Sequence, residues 1–235
     1  MAENQIILTG ASRGIGAAIA RDLTRRGFAV AGLSRSGEIP AGTGIACDVC
    51  DEAAVAAAIT WVASRGPIVG VVNCAGAHAA APSATLPIAE FDRTIRLNTT
   101  AALVVCQQAY PHLVAAGEAL IVNIGSFFDK LAVPENVAYC ASKAAVAAVG
   151  RCLAAEWAKD GIRVMTIAPG YIETDLNREW LAQDKVRAWL SRRIPAGRPG
   201  QPEEVAKLVG ALFAEQIGFL TGETIYLDGG QGINH

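Results

Sequence analysis

Short apolar blocks alternate along the chain with longer amphipathic or alanine-rich blocks. The short blocks predict strands at 5–9, 28–33, 45–49, 68–73, 119–124, 163–167 and 224–227. Several of them are apolar throughout, which is typical of parallel strands covered on both faces. The longer blocks predict helices at 17–27, 51–64, 88–116, 138–159, 177–193 and 203–215, the third interrupted near 98–99. This alternation predicts an α/β fold, one domain over 1–235 with a doubly wound parallel sheet of about seven strands and helices on both faces.

A glycine-rich turn links the first strand to the first helix. Gly10, Gly14 and Gly16 have the spacing GxxxGxG, which differs from the GxGxxG of the commoner dinucleotide fingerprint. Glycines here allow a tight turn and a close approach of the backbone, and the free N–H groups of the helix start face a pyrophosphate. The turn therefore predicts a dinucleotide cofactor.

The residues after the second strand favour NADP(H) over NAD(H). An NAD site typically has a carboxylate there that holds the ribose hydroxyls, whereas this chain has Ser34 and Arg35. Arg35 offers a charged fork to a 2′-phosphate, and Arg13 in the glycine turn offers a second cation. The alternative is that both arginines are only solvated.

A serine, a tyrosine and a lysine form the candidate catalytic group. Ser126 follows the strand 119–124, and Tyr139 and Lys143 lie one turn apart in an alanine-rich helix. An ammonium group beside a phenol stabilises phenolate, so Lys143 is predicted to lower the pKa of Tyr139 and make it a general acid and base. The alternative is a packed tyrosine and a surface lysine. Asn98, in an apolar helical stretch, either bonds a backbone carbonyl or takes part in the chemistry.

Composition and charge exclude several classes of protein. The net charge of −2, without a basic run, argues against nucleic acid as a partner. The sequence has no uninterrupted apolar run of membrane-spanning length and no secretory leader pattern, so we expect a cytoplasmic protein without membrane contact. Cys47 and Cys50 form a CxxC without a second ligand pair, which favours buried thiols over a redox or metal site.

The least regular segment, 171–200, is predicted to cover the substrate. An apolar stripe in it either closes as a lid or is an ordinary packing face: Trp180, Leu181, Val186, Trp189 and Leu190. A basic cluster beside it either attracts an acidic or carrier-bound substrate or is a solvated helix face: Arg187, Arg192, Arg193 and Arg198. The candidate pocket residues are His78, Phe127, Phe128, Tyr171 and Trp180.

Together these motifs resemble the short-chain dehydrogenase/reductase family over nearly the whole chain. The motifs that carry the resemblance are Thr9-Gly10-Ala11-Ser12-Arg13-Gly14-Ile15-Gly16, Asp48-Val49, Asn73-Cys74-Ala75-Gly76, Asn98, Ser126, Tyr139-x-x-x-Lys143, Pro169-Gly170 and Thr174. The stretches PGYIETDL and TGETIYLDGG are most similar to the 3-oxoacyl-(acyl-carrier-protein) reductase branch, although related alcohol and sugar dehydrogenases share them.

The resemblance implies a Rossmann fold and a role for each motif. The cofactor site would contain the glycine turn with Ser12, Arg13 and Ile15, then Ser34 and Arg35, Asp48 and Val49 at the adenine, Asn73, Ala75 and Gly76 at the ribose, Pro169 and Gly170, and Ile172 and Thr174 at the carboxamide. Lys143 would hold the nicotinamide ribose, Ser126 the substrate carbonyl oxygen, and Asn98 a water in a proton relay through Lys143. Family members are usually tetramers packed through the two helices that start near Ile88 and Tyr139.

Two features depart from the family pattern. Cys74 stands where a second asparagine is more common. The segment 36–44 is too short for the helix that usually joins the second and third strands, which shortens the wall beside the adenosine.

The sequence therefore predicts an NADPH-dependent reductase that moves hydride between the cofactor and a carbonyl or secondary alcohol, with a 3-oxoacyl thioester as one candidate substrate. The alternatives are an NAD-dependent alcohol or sugar dehydrogenase and a catalytically silent dinucleotide sensor.

Overall fold

Within residues 3–175 and 177–234, which the computed structural model describes, seven strands form one parallel sheet. The strands are β1 (Gln5–Thr9), β2 (Ala29–Ser34), β3 (Thr43–Ala46), β4 (Ile68–Asn73), β5 (Ala119–Ile124), β6 (Ile162–Pro169) and β7 (Thr224–Leu227). They lie in the order β3-β2-β1-β4-β5-β6-β7. The direction of winding reverses between β1 and β4, so the predicted doubly wound α/β fold is confirmed.

Helices cover both faces of the sheet. The helices are α1 (Gly14–Arg25), α2 (Glu52–Ala63), α3 (Ile88–Ile95), α4 (Ala101–Ala116), α5 (Val137–Trp157), α6 (Arg178–Leu181), α7 (Asp184–Arg193) and α8 (Pro202–Glu215). α1 and α8 contribute buried residues to the core on one face, and α2, α4 and α5 to the core on the other. In α1, Ala18, Ile19 and Leu23 recur at helical spacing and are buried in the first core, as an amphipathic helix requires.

The third predicted helix is interrupted at the expected place. A π-helical turn, Arg96–Thr100, joins α3 to α4 and contains Asn98. π-helical turns are rare in proteins, and those that do occur are often found at functional sites. Asn98 therefore lies in a locally distorted part of an otherwise regular pair of helices.

Two predicted elements need correction. The helix expected at 177–193 is two helices, α6 and α7, because Gln183 has extended backbone and Asp184 begins a new first turn. The strand expected at 45–49 is β3, whose pairing with β2 starts at Thr43 and ends at Ala46, so Asp48 and Val49 lie in the following loop. The segment 36–44 forms bends and enters β3 without a helix, as predicted. Leu176, within the predicted lid, lies outside the described residues.

One helical stretch, Val137–Asp160, has the length and apolar composition of a membrane span. It consists of α5 and the short turn that follows it, and Leu153 and Ala154 bury it against the sheet. Because a core helix of a globular protein passes the same test, this stretch is weak evidence for a membrane.

Candidate active site

The carboxyl ends of β1, β4, β5 and β6 bring the predicted site residues to one edge of the sheet. At the end of β1, Thr9 Oγ1 accepts hydrogen bonds from the backbone N–H groups of Cys74 and Ala75, each at 3.0 Å. A Cβ added to Gly10 would lie 2.8 Å from Ala75 Cα. The glycine turn therefore packs directly against the turn 73–76, where open α/β sheets bind ligands.

The glycine turn has the shape that a dinucleotide pyrophosphate requires. Gly10 and Gly14 have φ values of +69° and +54°, which other residues rarely adopt. A Cβ added to Gly16 would lie 2.1 Å from the Gly10 carbonyl oxygen, so only glycine allows this packing. The N–H groups at the start of α1 suit an anion. The other predicted residues of the turn are exposed or half-buried: Ser12, Arg13 and Ile15.

Thr174 reaches the glycine turn from the segment after β6, which ends at Pro169 and continues through Gly170. A Cβ added to Gly14 would lie 3.6 Å from Thr174 Cγ2. Asn177 holds this segment, since its Oδ1 accepts from the Thr174 N–H at 2.7 Å and its Nδ2 donates to the Ile172 carbonyl at 2.9 Å. Thr174 is thus brought to the glycine turn. Sequence reasoning missed Asn177, whose only signal is its spacing from Thr174.

On the adenosine side, the predicted residues differ in their access to a ligand. Ser34 is buried at the end of β2, and its hydroxyl donates to the Glu38 carbonyl at 3.3 Å. Arg35 is exposed. Asp48 Oδ1 accepts from the Cys50 N–H at 2.9 Å, and Val49 is buried. The Ser34 hydroxyl therefore bonds within its own turn and is not exposed to a ligand.

The Asn73 side chain points into the protein. Its Nδ2 donates to Asn123 Oδ1 at 2.9 Å and to Cys106 Sγ at 3.2 Å. Asn73 and Asn123 are register partners on β4 and β5, so their amides meet between strand and helix. The part of Asn73 that is available to a ribose is therefore its backbone, next to Ala75 and Gly76.

Ser126, Tyr139 and Lys143 meet where β5 ends and α5 begins. The Ser126 hydroxyl accepts from the Phe128 N–H at 3.3 Å, and it lies close enough to the Tyr139 phenol to act on its pKa. Lys143 is buried, its Nζ lies 5.7 Å from the centroid of the Tyr139 ring, and it donates to the Ile124 carbonyl at 2.8 Å. The fold thus assembles the three residues from the end of one strand and the first two turns of one helix.

Burial sets the protonation of the phenol and the ammonium. It raises the pKa of Tyr139 above its usual value, and the nearby Ser126 side chain only opposes that shift. It lowers the pKa of Lys143 to about 8. Desolvation of the phenolate is the largest cause of this shift, and Lys143 Nζ is bonded to the Ile124 carbonyl, so the lowering of the Tyr139 pKa by Lys143 stays a prediction. Tyr139 is a protonated phenol at neutral pH.

Asn98 fixes the loop that follows the turn 73–76. Its Oδ1 accepts from the Ala77 N–H at 2.9 Å, and its Nδ2 donates to the Ala77 carbonyl at 2.9 Å and to Ser142 Oγ at 3.0 Å. A Cβ added to Gly76 would lie 3.2 Å from Asn98 Oδ1 and 3.6 Å from Lys143 Nζ. Gly76 therefore lies between the two side chains, and the water relay through Asn98 stays a prediction.

His78 closes one side of Tyr139. The two rings pack edge to face with 4.8 Å between centroids, and His78 Nε2 hydrogen-bonds to Asn136 Oδ1. Asn136 directly precedes α5, so this bond ties the loop 77–87 to the start of the helix that carries Tyr139. Phe127 is buried and contacts Tyr171 at 5.4 Å between centroids. Asn136 had no signal in the sequence beyond its proximity to Tyr139.

The remaining sequence features are mostly structural. Leu181 and Leu190 of the apolar stripe are buried in a small core of their own, which makes that part of the stripe a packing face. Arg198 of the basic cluster pairs with Glu204 at 2.9 Å. Cys47 and Cys50 are free thiols whose pKa burial raises, and of the two only Cys47 is buried as predicted, while Cys50 is half-buried.

Comparison with known proteins adds evidence independent of this geometry. The family model described as enoyl-(acyl carrier protein) reductase matches residues 10–231. D-threitol dehydrogenase from Mycolicibacterium smegmatis is 36% identical over 97% of this chain and 92% of its own length. The 3-oxoacyl-(acyl-carrier-protein) reductase MabA from Mycobacterium tuberculosis is 35% identical over 98% of this chain and 93% of its own length.

Solved structures are similar to this chain over its whole length as well. The crystal structure of a gluconate 5-dehydrogenase from Burkholderia cenocepacia, in complex with NADP and tartrate, superposes with a TM-score of 0.90 at 32% identity. The match covers 100% of this chain and 97% of that one. The names of these relatives agree on oxidation or reduction and differ in substrate.

Proposed function

The chain belongs to the short-chain dehydrogenase/reductase family and is an NAD(P)-dependent oxidoreductase of the alcohol or sugar dehydrogenase or ketoreductase type, and on that premise we propose that it is an NADPH-dependent ketoreductase. The observation that carries the proposal is the Tyr139 phenol, which burial keeps protonated beside Ser126 and at the same sheet edge as the glycine turn. A positioned phenol that is protonated at neutral pH can donate a proton to a carbonyl oxygen as it is reduced.

In the proposed mechanism, the chain's own side chains hold the carbonyl and supply the proton. A bound nicotinamide dinucleotide supplies the hydride that the carbonyl carbon gains. The Ser126 hydroxyl donates a hydrogen bond to the carbonyl oxygen as negative charge develops there. Tyr139 transfers its proton to that oxygen, which yields the alcohol and leaves a phenolate until a proton returns. Lys143 would hold the ribose hydroxyls of that cofactor, and Asn98 keeps the backbone beside Gly76 in place.

The direct test is the absorbance of NADPH during incubation with ketones, ketoses and 3-oxoacyl thioesters. Consumption of NADPH with formation of the alcohol supports the proposal. Binding of NADPH without turnover on any of these compounds, and without oxidation of the corresponding alcohols, supports a catalytically silent sensor instead.

The pH dependence of the two directions is expected to differ. Reduction needs the phenol and should be nearly constant between about pH 6 and 8, whereas oxidation needs the phenolate. Because burial raises the pKa of Tyr139, the phenolate fraction at neutral pH is small and grows about tenfold per pH unit below that pKa. Values of kcat/KM for the alcohol should rise accordingly. A flat oxidation profile would contradict a raised pKa.

We further propose NADP(H) as the preferred cofactor, because Arg35 is exposed at the end of β2 where a carboxylate would repel a 2′-phosphate. The gluconate 5-dehydrogenase structure contains NADP, which supports this assignment by similarity. Arg35→Asp is expected to lower kcat/KM for NADPH by roughly 10²-fold, since a like charge next to the phosphate is strongly unfavourable. The ratio of kcat/KM for NADPH to that for NADH measures the effect.

A matched control is Lys159→Asp, which makes the same change in net charge. Lys159 is exposed after the end of α5, at the edge of the sheet opposite the glycine turn. It should leave the cofactor ratio unchanged. An equal loss of NADPH preference in both variants would show that the preference depends on the net charge of the protein and not on a contact of Arg35 with the 2′-phosphate.

An NAD-dependent alcohol or sugar dehydrogenase is the second candidate, favoured by the similarity to D-threitol dehydrogenase. A preference for NADH together with faster oxidation than reduction would support it.

We also propose a cytoplasmic homotetramer packed through α4 and α5, where Val114 and Val137 are exposed apolar residues. A 3-oxoacyl thioester is a candidate carrier-bound substrate, supported by the similarity to MabA and by the exposed Arg187, Arg192 and Arg193.

A further inference from the structure

The Tyr139 ring is held between two other rings. It packs edge to face against His78, with 4.8 Å between ring centroids, and against Phe128, with 5.8 Å. Phe128 is buried, so the core fixes its ring. His78 is exposed in the loop 77–87, where packing alone does not fix a side chain. The position of the His78 ring therefore depends on its hydrogen bond to Asn136.

The surroundings of Asn136 set the direction of that hydrogen bond. Asn136 Nδ2 donates to the Pro134 carbonyl at 2.8 Å, so Asn136 Oδ1 is the atom that faces His78 Nε2. The opposite orientation of the amide would place its oxygen against the Pro134 carbonyl oxygen. His78 Nε2 therefore carries the hydrogen, which in the neutral ring selects one of the two tautomers. The exposed His78 ring is thus anchored by a directional bond to a buried residue.

Asn136 does not make the bond that is usual at its position in the chain. It is the N-cap of α5, and an N-cap asparagine typically accepts from the N–H group two or three residues later and so fixes the first helical turn. Within the part of the chain that the structure describes, the Asn136 side chain makes no such bond. Tyr139 lies in this first turn, and helix ends fray. A local cap therefore does not hold Tyr139, and the amide that could supply the cap is bonded to His78.

The turn before α5 has a second bond to the same loop. Glu135 has a φ of +64°, a left-handed conformation that residues other than glycine rarely adopt. Its carbonyl accepts from the Ala81 N–H at 2.8 Å. Such a backbone conformation persists where neighbouring contacts over-determine it, and it is found most often at functional sites. The loop 77–87 is thus bonded at two points to the turn that begins the helix of Tyr139.

We propose that His78 is a positioning residue for the proton donor, because its bond to Asn136 fixes the ring that holds the Tyr139 phenol at the substrate carbonyl. The bond takes the place of the absent N-cap bond, since it joins the residue before α5 to a ring that packs on Tyr139. In this role His78 acts through Tyr139 and contacts neither the substrate nor the cofactor. The inference rests on the proposed ketoreductase function and adds a residue that sets its rate.

The test measures kcat, the KM of a ketone that the wild type reduces, and the dissociation constant for NADPH. His78→Phe keeps the ring and loses the donor, whereas Asn136→Ala loses the acceptor. Each is expected to lower kcat by roughly 10-fold, because a displaced proton donor reacts more slowly, and to leave KM and the dissociation constant nearly unchanged. The double variant should lose no more than Asn136→Ala alone, because both changes remove the same bond. Asn136→Asp keeps an acceptor oxygen and should retain more activity than Asn136→Ala.

Thr85→Ala is the matched control in the same loop. Thr85 is exposed, and its hydroxyl donates within the loop, to the Pro82 carbonyl at 3.4 Å. This variant should have the kcat of the wild type. Unfolding temperatures establish that each variant is folded. If Asn136→Ala fails to fold, His78→Phe and His78→Ala carry the test, since both change an exposed side chain.

The results distinguish the positioning role from the reductase function. Wild-type kcat in His78→Phe, additive losses in the double variant, an equal loss in Thr85→Ala, or a higher KM without a loss of kcat would overturn the positioning role and leave the reductase function standing. Failure of the wild-type protein to reduce any ketone, or to oxidise the corresponding alcohols, would overturn the proposed function and the inference with it.

Discussion

Replacing Tyr139 with phenylalanine is expected to lower kcat/KM for ketone reduction by roughly 10²- to 10⁴-fold, the usual contribution of a positioned general acid. Phenylalanine keeps the ring, so the edge-to-face contacts with His78 and Phe128 remain. Only the hydroxyl beside Ser126 is lost. Without it, the developing alkoxide has to take its proton from water. Steady-state kinetics with NADPH measure the loss, which should appear in kcat while the dissociation constant for NADPH stays nearly unchanged.

Tyr110→Phe is the matched control for this experiment. Tyr110 lies on α4, donates its hydroxyl to Asp160 Oδ2 at 3.1 Å, and contacts Trp157 at the end of α5 that is remote from Ser126. Loss of this hydroxyl should affect stability by about 1 kcal/mol and leave kcat as it is. Normal turnover in Tyr139→Phe would remove Tyr139 from the mechanism, and an equal loss in both variants would trace the effect to general destabilisation.

Hydrophobic patterning predicted the fold because the sheet is buried on both faces. The run from Ile68 to Asn73 is apolar until its last residue, which only a central parallel strand explains. The break between α6 and α7 was not predictable, because it depends on a single extended residue, Gln183, in a stretch with good helical composition. The bounds of β3 were missed for a related reason, since its pairing with β2 and not its own composition sets its start at Thr43.

Sequence spacing predicted which site residues share an element, and tertiary packing decided what they do there. Tyr139 and Lys143 lie one helical turn apart in the structure as in the sequence. The direction of the Tyr139 pKa shift follows from burial, which is not a local property of the helix. The orientation of Asn73 likewise depends on Asn123, fifty positions away, through the register of β4 and β5.

Gly16→Ala is expected to weaken NADPH binding on the order of 10²-fold, the effect of displacing a binding element by about 1 Å. The added Cβ would lie 2.1 Å from the Gly10 carbonyl oxygen, and this neighbour is backbone that cannot rotate away. The glycine turn has to move, and with it the N–H groups at the start of α1. The same displacement should destabilise the fold by about 1–3 kcal/mol, as other overpacking substitutions do. Fluorescence titration with NADPH and thermal unfolding measure the two effects.

The matched control is Gly218→Ala, because a Cβ at Gly218 would meet no atom within 4 Å. Gly218 lies in the connection between α8 and β7, away from the glycine turn. This variant should bind NADPH as the wild type does and unfold within about 0.5 kcal/mol of it, as is usual for open surface positions. Wild-type affinity in Gly16→Ala would mean that the cofactor does not depend on the packing of Gly16 against Gly10. The assignment of the pyrophosphate to this turn would then fail, even if Tyr139 proved to be the proton donor.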